Sequence, residues 1–276
     1  MCSLTPASAG NSVPTQNWKI EGLDVRLEDG ILTLTIDRQE SLNSVDEKLL
    51  RGMADVLESA ASDPAIGVVQ IGGAGRAFCS GASLAETNLA NAPVPTTTID
   101  AANQVVRAIV AMPRPVIAAV GGVAAGVGVS IALACDLVIA SEDSYFLLAF
   151  TRIGLMPDGG ASALIAAAIG RIRAMRMALL AEKISAEEAY SWGLVTSVAP
   201  RDSFDSQVAT AARKLASGPL AALSATKNAI NNSTLCELEA ALEGERNGQS
   251  GLLNAHDFRE GVTAFFERRP ANFSDM

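Results

Sequence analysis

Two glycine-rich segments of the sequence could each present bare backbone N–H groups to a ligand oxygen. They span residues 76–84 (RAFCSGASL) and 121–130 (GGVAAGVGVS), and each follows a β-branched run and leads toward a helical pattern. Glycine lets a backbone approach a ligand closely. Fixed, uncharged N–H donors of this kind can form an oxyanion hole, which stabilises negative charge developing on a carbonyl oxygen.

One acidic side chain follows shortly after the second segment. Asp158 stands in the turn GLMPDGG, residues 154–160, where a pocket could use it as an acid or a base. The same aspartate could instead cap a helix beginning at Gly159 or Gly160, because aspartate is a preferred N-cap residue. The local pattern leaves both roles open.

Composition and charge narrow the class of protein. The chain has 276 residues, 49% of them hydrophobic, and a formal net charge of −9. This length suits one large domain, or one with a small appendage. The acidic balance argues against nucleic acid or an anionic membrane surface as the main partner. Residues 1–18 lack the pattern of a signal peptide, so we expect a flexible tail and a cytoplasmic protein.

The chain offers little for metal or nucleophilic chemistry. Its four cysteines are scattered, and His256 is the only histidine. No zinc site follows from this set, and a Ser-His-Asp or Cys-His arrangement would have to recruit His256. We interpret Cys79 and Ser80 as pocket wall and His256 as a surface or capping residue.

Alternating strand and helix patterns predict an α/β layer fold with ligands at the loops where strands end. Strand patterns occur at residues 23–27, 31–36, 67–72, 115–120 and 136–140, and helical ones at 45–61, 99–112 and 126–134. Residues 86–98 predict a mobile surface segment over the pocket. From residue 161 onward the pattern is helical, with 194–198 as the only strand.

Six pieces of sequence, in order, resemble the crotonase superfamily of enoyl-CoA hydratases and isomerases. They are residues 36–38 with 42–44 (IDR, LNS), 75–81 (GRAFCSG), 118–126 (AAVGGVAAG), 134–139 (ACDLVI), 154–158 (GLMPD) and 187–195 (EEAYSWGLV). The resemblance implies a ββα-spiral α/β core over residues 19–200 that holds an acyl-CoA site. It also implies a helical C-terminal region over residues 201–276 for oligomerisation and CoA cover, and a homotrimer or a hexamer of paired trimers.

The resemblance also implies roles for particular residues. The N–H groups of Ala82 and Val127 would hold the thioester oxygen, although glycine is commonest at the position of Val127. Hydratases hold water between two glutamates, and the matching positions are Ser130 and Phe150. Because neither is a carboxylate, we expect the standard hydration mechanism to be absent.

Asp158 matches an acid in the isomerases, including a ring-epoxide isomerase of phenylacetate breakdown. One carboxylate suffices for isomerisation, because it can remove a proton from one carbon and return it to another. The resemblance therefore favours an acyl-CoA double-bond isomerase with Asp158 as acid and base. Coenzyme A would enter as part of the substrate, with no separate cofactor and no metal.

For the substrate, the resemblance indicates two chain segments, several pocket positions and one helical lysine. The predicted substrate-binding residues are Glu40, Ser41, Leu42, Ser80, Ser83, Leu84, Gly126, Ser130, Phe150 and Lys227. Ser83 stands where the family usually has aspartate. Lys227 could instead be a solvated helix charge, since exposed lysines are common.

Two other functions remain open. Asp158 could act as a nucleophile on an aromatic acyl-CoA, as in related hydrolytic dehalogenases. Those enzymes also use a histidine, and His256 is far from the matching position. Alternatively, the chain could bind acyl-CoA without turning it over.

Overall fold

The computed structural model describes residues 18–84 and 93–275. The predicted tail therefore lies outside the described residues except for Trp18, and so does much of the predicted mobile segment. The strands are β1 (Leu23–Glu28), β2 (Ile31–Ile36), β3 (Val68–Gly73), β4 (Ala77–Cys79), β5 (Val116–Val120), β6 (Val123–Ala125), β7 (Leu137–Ser141), β8 (Tyr145–Leu147), β9 (Ile184–Ser185) and β10 (Ser197–Ala199). The helices are α1 (Glu47–Ala60), α2 (Thr97–Ala111), α3 (Val127–Ala134), α4 (Ala161–Leu180), α5 (Ala186–Trp192), α6 (Phe204–Ala216), α7 (Leu220–Thr234), α8 (Leu238–Leu252) and α9 (His256–Glu267).

The larger sheet has the strand order β1-β2-β3-β5-β7-β10. Its first two strands form the predicted antiparallel hairpin, and the remaining pairs are parallel. Asp29 and Gly30 connect the hairpin with φ values of 50° and 77°. Positive φ at both turn residues suits the right-handed twist of the paired strands.

A second, smaller sheet has the order β4-β6-β8-β9, and its first three strands are parallel. Each of β3, β5 and β7 is followed by one of these short strands and then by a helix. This threefold repeat confirms the predicted ββα architecture. Strands β4 and β6 lie within the glycine-rich segments, where no strand was predicted, and β9 corrects the prediction of a single strand after residue 161.

Helices cover both faces of the larger sheet. Helix α6 closes one face, where Phe204 and Val208 pack against strand residues that include Ile117. On the other side, α1, α2 and α3 share the main core with α8, which contributes Leu238 and Leu242. The C-terminal helices are thus built into the body of the protein. No helix in the described ranges combines the length and hydropathy needed to cross a membrane.

Candidate active site

The carboxyl ends of β4 and β6 meet at one edge of the smaller sheet. Gly81 and Gly126 follow these strands with φ values of 105° and 53°. Their backbones are in contact, since a Cβ added to Gly126 would lie 3.5 Å from the Cα of Gly81. Residues other than glycine rarely adopt such φ values. The approach brings the next two N–H groups, those of Ala82 and Val127, to the same edge.

Neither of these two N–H groups donates a hydrogen bond to any residue in the described part of the chain. The neighbouring N–H of Ser83, by contrast, donates to the carbonyl of Val45 at 2.8 Å. Val127 is also the first residue of α3, where unpaired N–H groups carry the positive end of the helix dipole. The two predicted oxyanion donors are therefore fixed and available.

The turn that carries Asp158 packs on the first turns of α3. A Cβ on Gly159 would lie 3.0 Å from the Cβ of Ser130 and 3.4 Å from Cγ2 of Val127. The Ser130 hydroxyl donates a 2.7 Å hydrogen bond to the backbone carbonyl of Asp158. These contacts hold the predicted acid beside the second predicted oxyanion donor.

The carboxyl group of Asp158 is buried, with 7% of the residue exposed. Burial is the largest effect on its pKa and raises it, because the ionised form loses solvation. A 2.9 Å hydrogen bond from Nε2 of Gln249 opposes this, and the charge of Glu245 adds to it. The pKa of Asp158 is raised to about 7, which suits a group that takes and returns protons near neutral pH.

The alternative that Asp158 caps α4 with its side chain is wrong, because another acid occupies that position. Glu245 accepts from the N–H of Gly160 at 2.6 Å and from that of Ser162 at 2.8 Å. Asp158 contributes only its backbone carbonyl, which accepts from the N–H of Ala161 at 3.3 Å. The carboxyl group of Asp158 is thus not used to cap α4.

Glu245 and Gln249 were missed by the sequence analysis. They lie one turn apart on the buried face of α8, in line with Leu238 and Leu242. Polar residues at helical spacing within an apolar face were the available signal, since buried polar groups need partners. The sequence gives no indication of which distant turn supplies those partners.

Ser130 and Phe150, the positions that would carry glutamates in hydratases, are both buried. Ser130 serves the backbone of Asp158. The Phe150 ring tip lies 3.8 Å from the place where a Cβ on Gly126 would stand, so the ring borders the oxyanion edge. Neither position offers a carboxylate to hold or activate water.

The predicted CoA segments meet at a cleft of about 1150 Å³, which Glu40, Ser41 and Ser83 help to line. Ser80 joins the two segments, because its hydroxyl donates to the carbonyl of Ser41 at 2.9 Å. Leu42 stands between them with a φ of 56°, an uncommon value for a residue with a side chain.

Buried Asn43 holds this strained turn. Its Oδ1 accepts from the N–H of Arg38 at 2.9 Å, and its Nδ2 donates to the carbonyls of Ala74 and Ala77 at 2.9 and 2.7 Å. These bonds tie the turn to β4, the strand that leads to Gly81. Asn43 is therefore a structural residue of the site, although it was quoted only as part of a motif.

The cations of the cleft are already paired with acids. Arg38 pairs with Asp46, Lys48 with Glu21 and Arg51 with Glu47. The last two pairs are exposed, and such pairs contribute little, so a phosphate could compete for Lys48 or Arg51.

Lys227 is neither a phosphate ligand at this cleft nor a solvated helix charge. Its ammonium is buried, forms an ion pair with Asp136 at 2.9 Å and donates to the carbonyl of Ile109 at 2.8 Å. Asp136 in turn accepts from the N–H of Val116 at 2.7 Å. The pair joins α7 to the start of β5, which corrects the prediction for Lys227.

Three other predicted positions are placed as follows. Leu84 packs against an apolar cluster that includes Ile99 and Phe258. Burial raises the pKa of the Cys79 thiol to about 12, so this residue stays a neutral thiol. His256 is exposed at the first residue of α9, with its Nδ1 3.3 Å from the Ser274 hydroxyl.

Comparison with known proteins identifies the family of the chain. The model of the enoyl-CoA hydratase/isomerase family matches residues 26–276. A 1,2-epoxyphenylacetyl-CoA isomerase of Escherichia coli is 37% identical over 252 residues, which are 90% of this chain and 96% of the relative. A probable enoyl-CoA hydratase of Rhodobacter capsulatus is 39% identical over 248 residues, covering 90% of this chain and 96% of that one.

Among solved structures, an enoyl-CoA hydratase from Mycobacterium avium subsp. paratuberculosis is similar, with a TM-score of 0.87 and 56% identity. The match covers 93% of this chain and 100% of that chain. The relatives thus carry both isomerase and hydratase names. The chain belongs to the enoyl-CoA hydratase/isomerase family, within the crotonase superfamily.

Proposed function

We propose that this protein is an acyl-CoA isomerase that moves a double bond through a thioester enolate. The observation that carries the proposal is the buried carboxyl of Asp158, with its pKa raised to about 7 and its turn packed against the oxyanion residue Val127. The serine and phenylalanine at positions 130 and 150 favour isomerisation over hydration, because no carboxylate is there to activate water.

In this mechanism the N–H groups of Ala82 and Val127 donate to the thioester oxygen and stabilise the enolate. The ionised Asp158 removes a proton from the carbon next to the thioester carbonyl of a 3-enoyl-CoA. The electron pair of that C–H bond delocalises through the enolate, and the protonated Asp158 returns the proton to the far carbon of the former double bond. The product is the conjugated 2-enoyl-CoA, and the enzyme recovers its carboxylate.

The residues that line the CoA cleft, Glu40, Ser41 and Ser83, would contact the coenzyme portion, and Lys48 and Arg51, which also line the cleft, would be partners for its phosphates. The acyl chain would lie toward Phe150 and Leu84. An aromatic acyl group also deserves testing, because the E. coli relative is named for a phenylacetyl-CoA derivative.

Replacing Asp158 with asparagine should abolish most isomerase activity. Asparagine is close in size and keeps a hydrogen-bonding partner for Gln249, yet it cannot accept the proton. We expect kcat to fall on the order of 1000-fold. The measurement follows absorbance as a 3-enoyl-CoA becomes the conjugated 2-enoyl-CoA. An unchanged rate in Asp158→Asn would refute the role of this carboxyl, and rapid hydration of a 2-enoyl-CoA by the wild type would refute the choice of isomerase.

The activity should rise with pH through neutrality. Asp158 accepts the substrate proton only when ionised, and its pKa lies near 7 instead of the ordinary 3.8. We therefore expect kcat/KM to increase from about pH 5 to pH 8, with its midpoint near pH 7. A profile that is already flat above about pH 5 would indicate an ordinary carboxyl and would contradict this mechanism.

Removing one oxyanion donor should also slow the reaction. Val127 is the first residue of α3, a position where proline is tolerated in a helix although it lacks an N–H. Val127→Pro should lower kcat/KM on the order of 100-fold. Val127→Ala keeps the N–H and should remain close to wild type. Equal activity of the two variants, with circular dichroism confirming that both fold, would exclude this N–H as a donor.

We also propose that the protein assembles as a homotrimer, or as a hexamer of paired trimers. Beyond the break at Gly170, helix α4 exposes an apolar stripe with Ile172 76% and Leu179 65% accessible. Large apolar patches of this kind mark interaction surfaces. Light scattering should give at least three times the 28.5 kDa chain mass. The charged substitution Ile172→Glu should weaken assembly, and a wild-type monomer at working concentration would contradict the proposal.

A further inference from the structure

Helix α8 carries two polar side chains on the face that it buries. Glu245 is 2% and Gln249 0% exposed, and burying such groups is unfavourable unless they are hydrogen-bonded. Both find their partners in the segment from Met156 to Ser162, which contains Asp158. The C-terminal part of the chain thus holds the turn that carries the reacting carboxyl.

The orientation of the Gln249 amide is fixed by its two contacts. The N–H of Met156 donates to Oε1 of Gln249 at 3.2 Å, and an N–H can only donate. The NH₂ group must therefore face Asp158, where Nε2 lies 2.9 Å from Oδ2. An ionised carboxylate only accepts hydrogen bonds, so this contact favours the ionised form of Asp158.

We propose that Gln249 is a positioning residue that engages Oδ2 of Asp158 and leaves Oδ1 as the oxygen that exchanges protons with the substrate. The inference rests on the proposed function in assigning that proton transfer to Asp158. When Oδ1 takes the proton, the C–H electron pair stays on the substrate as the enolate, and Oδ2 remains an acceptor for Gln249. When Oδ1 returns the proton, the carboxylate regains its full hydrogen bond.

Gln249 opposes protonation of Asp158, whereas the charged group near Asp158 favours it. Within the described residues, Glu245 is the charged group that acts on Asp158, and its negative charge disfavours ionisation. The turn of α3 that packs against Asp158 brings uncharged Ser130 and Val127. Glu245 and Gln249 thus act in opposite directions from adjacent turns of one helix.

The test replaces Gln249 with methionine, which has similar length but no hydrogen-bonding amide. Infrared difference spectroscopy follows protonation of Asp158 against pH, with the band assigned by its loss in Asp158→Asn. In Gln249→Met the midpoint should move upward by about one pH unit, because a hydrogen bond to the charged form is lost. At pH 7 kcat should fall about fivefold while KM stays nearly constant, because the ionised fraction of Asp158 falls from about one half to about one eleventh.

Gln207→Met is the matched control, since Gln207 is exposed on α6 and its side-chain amide donates to the hydroxyl of Ser203, away from Asp158 in the sequence. It should leave both midpoint and kcat unchanged. Gln249→Glu is the second variant, because it still accepts from Met156 even if the methionine variant fails to fold. Its added carboxyl must share a proton with Asp158 and should move the midpoint upward as well.

A titration midpoint that stays at the wild-type value in a folded variant at position 249 would overturn the inference, whatever reaction the protein catalyses. A uniform loss of kcat at all pH values, with no movement of the midpoint, would also overturn it. The wild type could prove inactive as an isomerase while the midpoint still moves in the variants at position 249. In that case the proposed function is wrong, but the hydrogen bond from Gln249 to Asp158 still controls the protonation of Asp158.

Discussion

The contact between the backbones of Gly81 and Gly126 is the constraint on which the site depends. The two glycines follow neighbouring parallel strands of the smaller sheet, and their positive φ values turn each chain sharply at the same edge. A side chain at either position would be conformationally strained. Because the turns are fixed in this way, the N–H groups of Ala82 and Val127 come to the same edge, and neither is paired with a residue in the described part of the chain.

The rest of the structure brings a carboxyl group to that edge and controls its charge. Gly159 packs against α3, Ser130 holds the carbonyl of Asp158, and α8 supplies both the cap of α4 and the partner of the carboxyl. Burial favours the neutral acid, while Gln249 favours the ionised base. The resulting balance near neutral pH is what a group that alternates between base and acid requires.

Sequence patterns were sufficient for the longer elements and for the motifs. The hairpin of β1 and β2 and the helix α1 follow from period-two and period-3.6 patterns, and Asp158 and the oxyanion segments follow from motif order. Strands β4 and β6 were not predicted, because a strand of three residues is too short to show a period-two pattern.

Side-chain contacts between residues far apart in the sequence could not be predicted either. Gln249 and Asp158 are 91 residues apart, and Lys227 of α7 pairs with Asp136, which lies between α3 and β7. A helical lysine with no visible partner looks the same in sequence whether it faces solvent or a buried aspartate. The difference arises only from how α7 packs against the start of β5, which no local pattern records.

In the proposed mechanism, the two N–H groups and Asp158 act on the same thioester. A crystal structure with a non-reactive acyl-CoA analogue tests it most directly. We expect the thioester oxygen to lie about 3 Å from the nitrogens of both Ala82 and Val127. We also expect Oδ1 of Asp158 to face the adjacent acyl carbon. A thioester oxygen held by other groups, or an acyl chain that leaves Asp158 without contact, would contradict it.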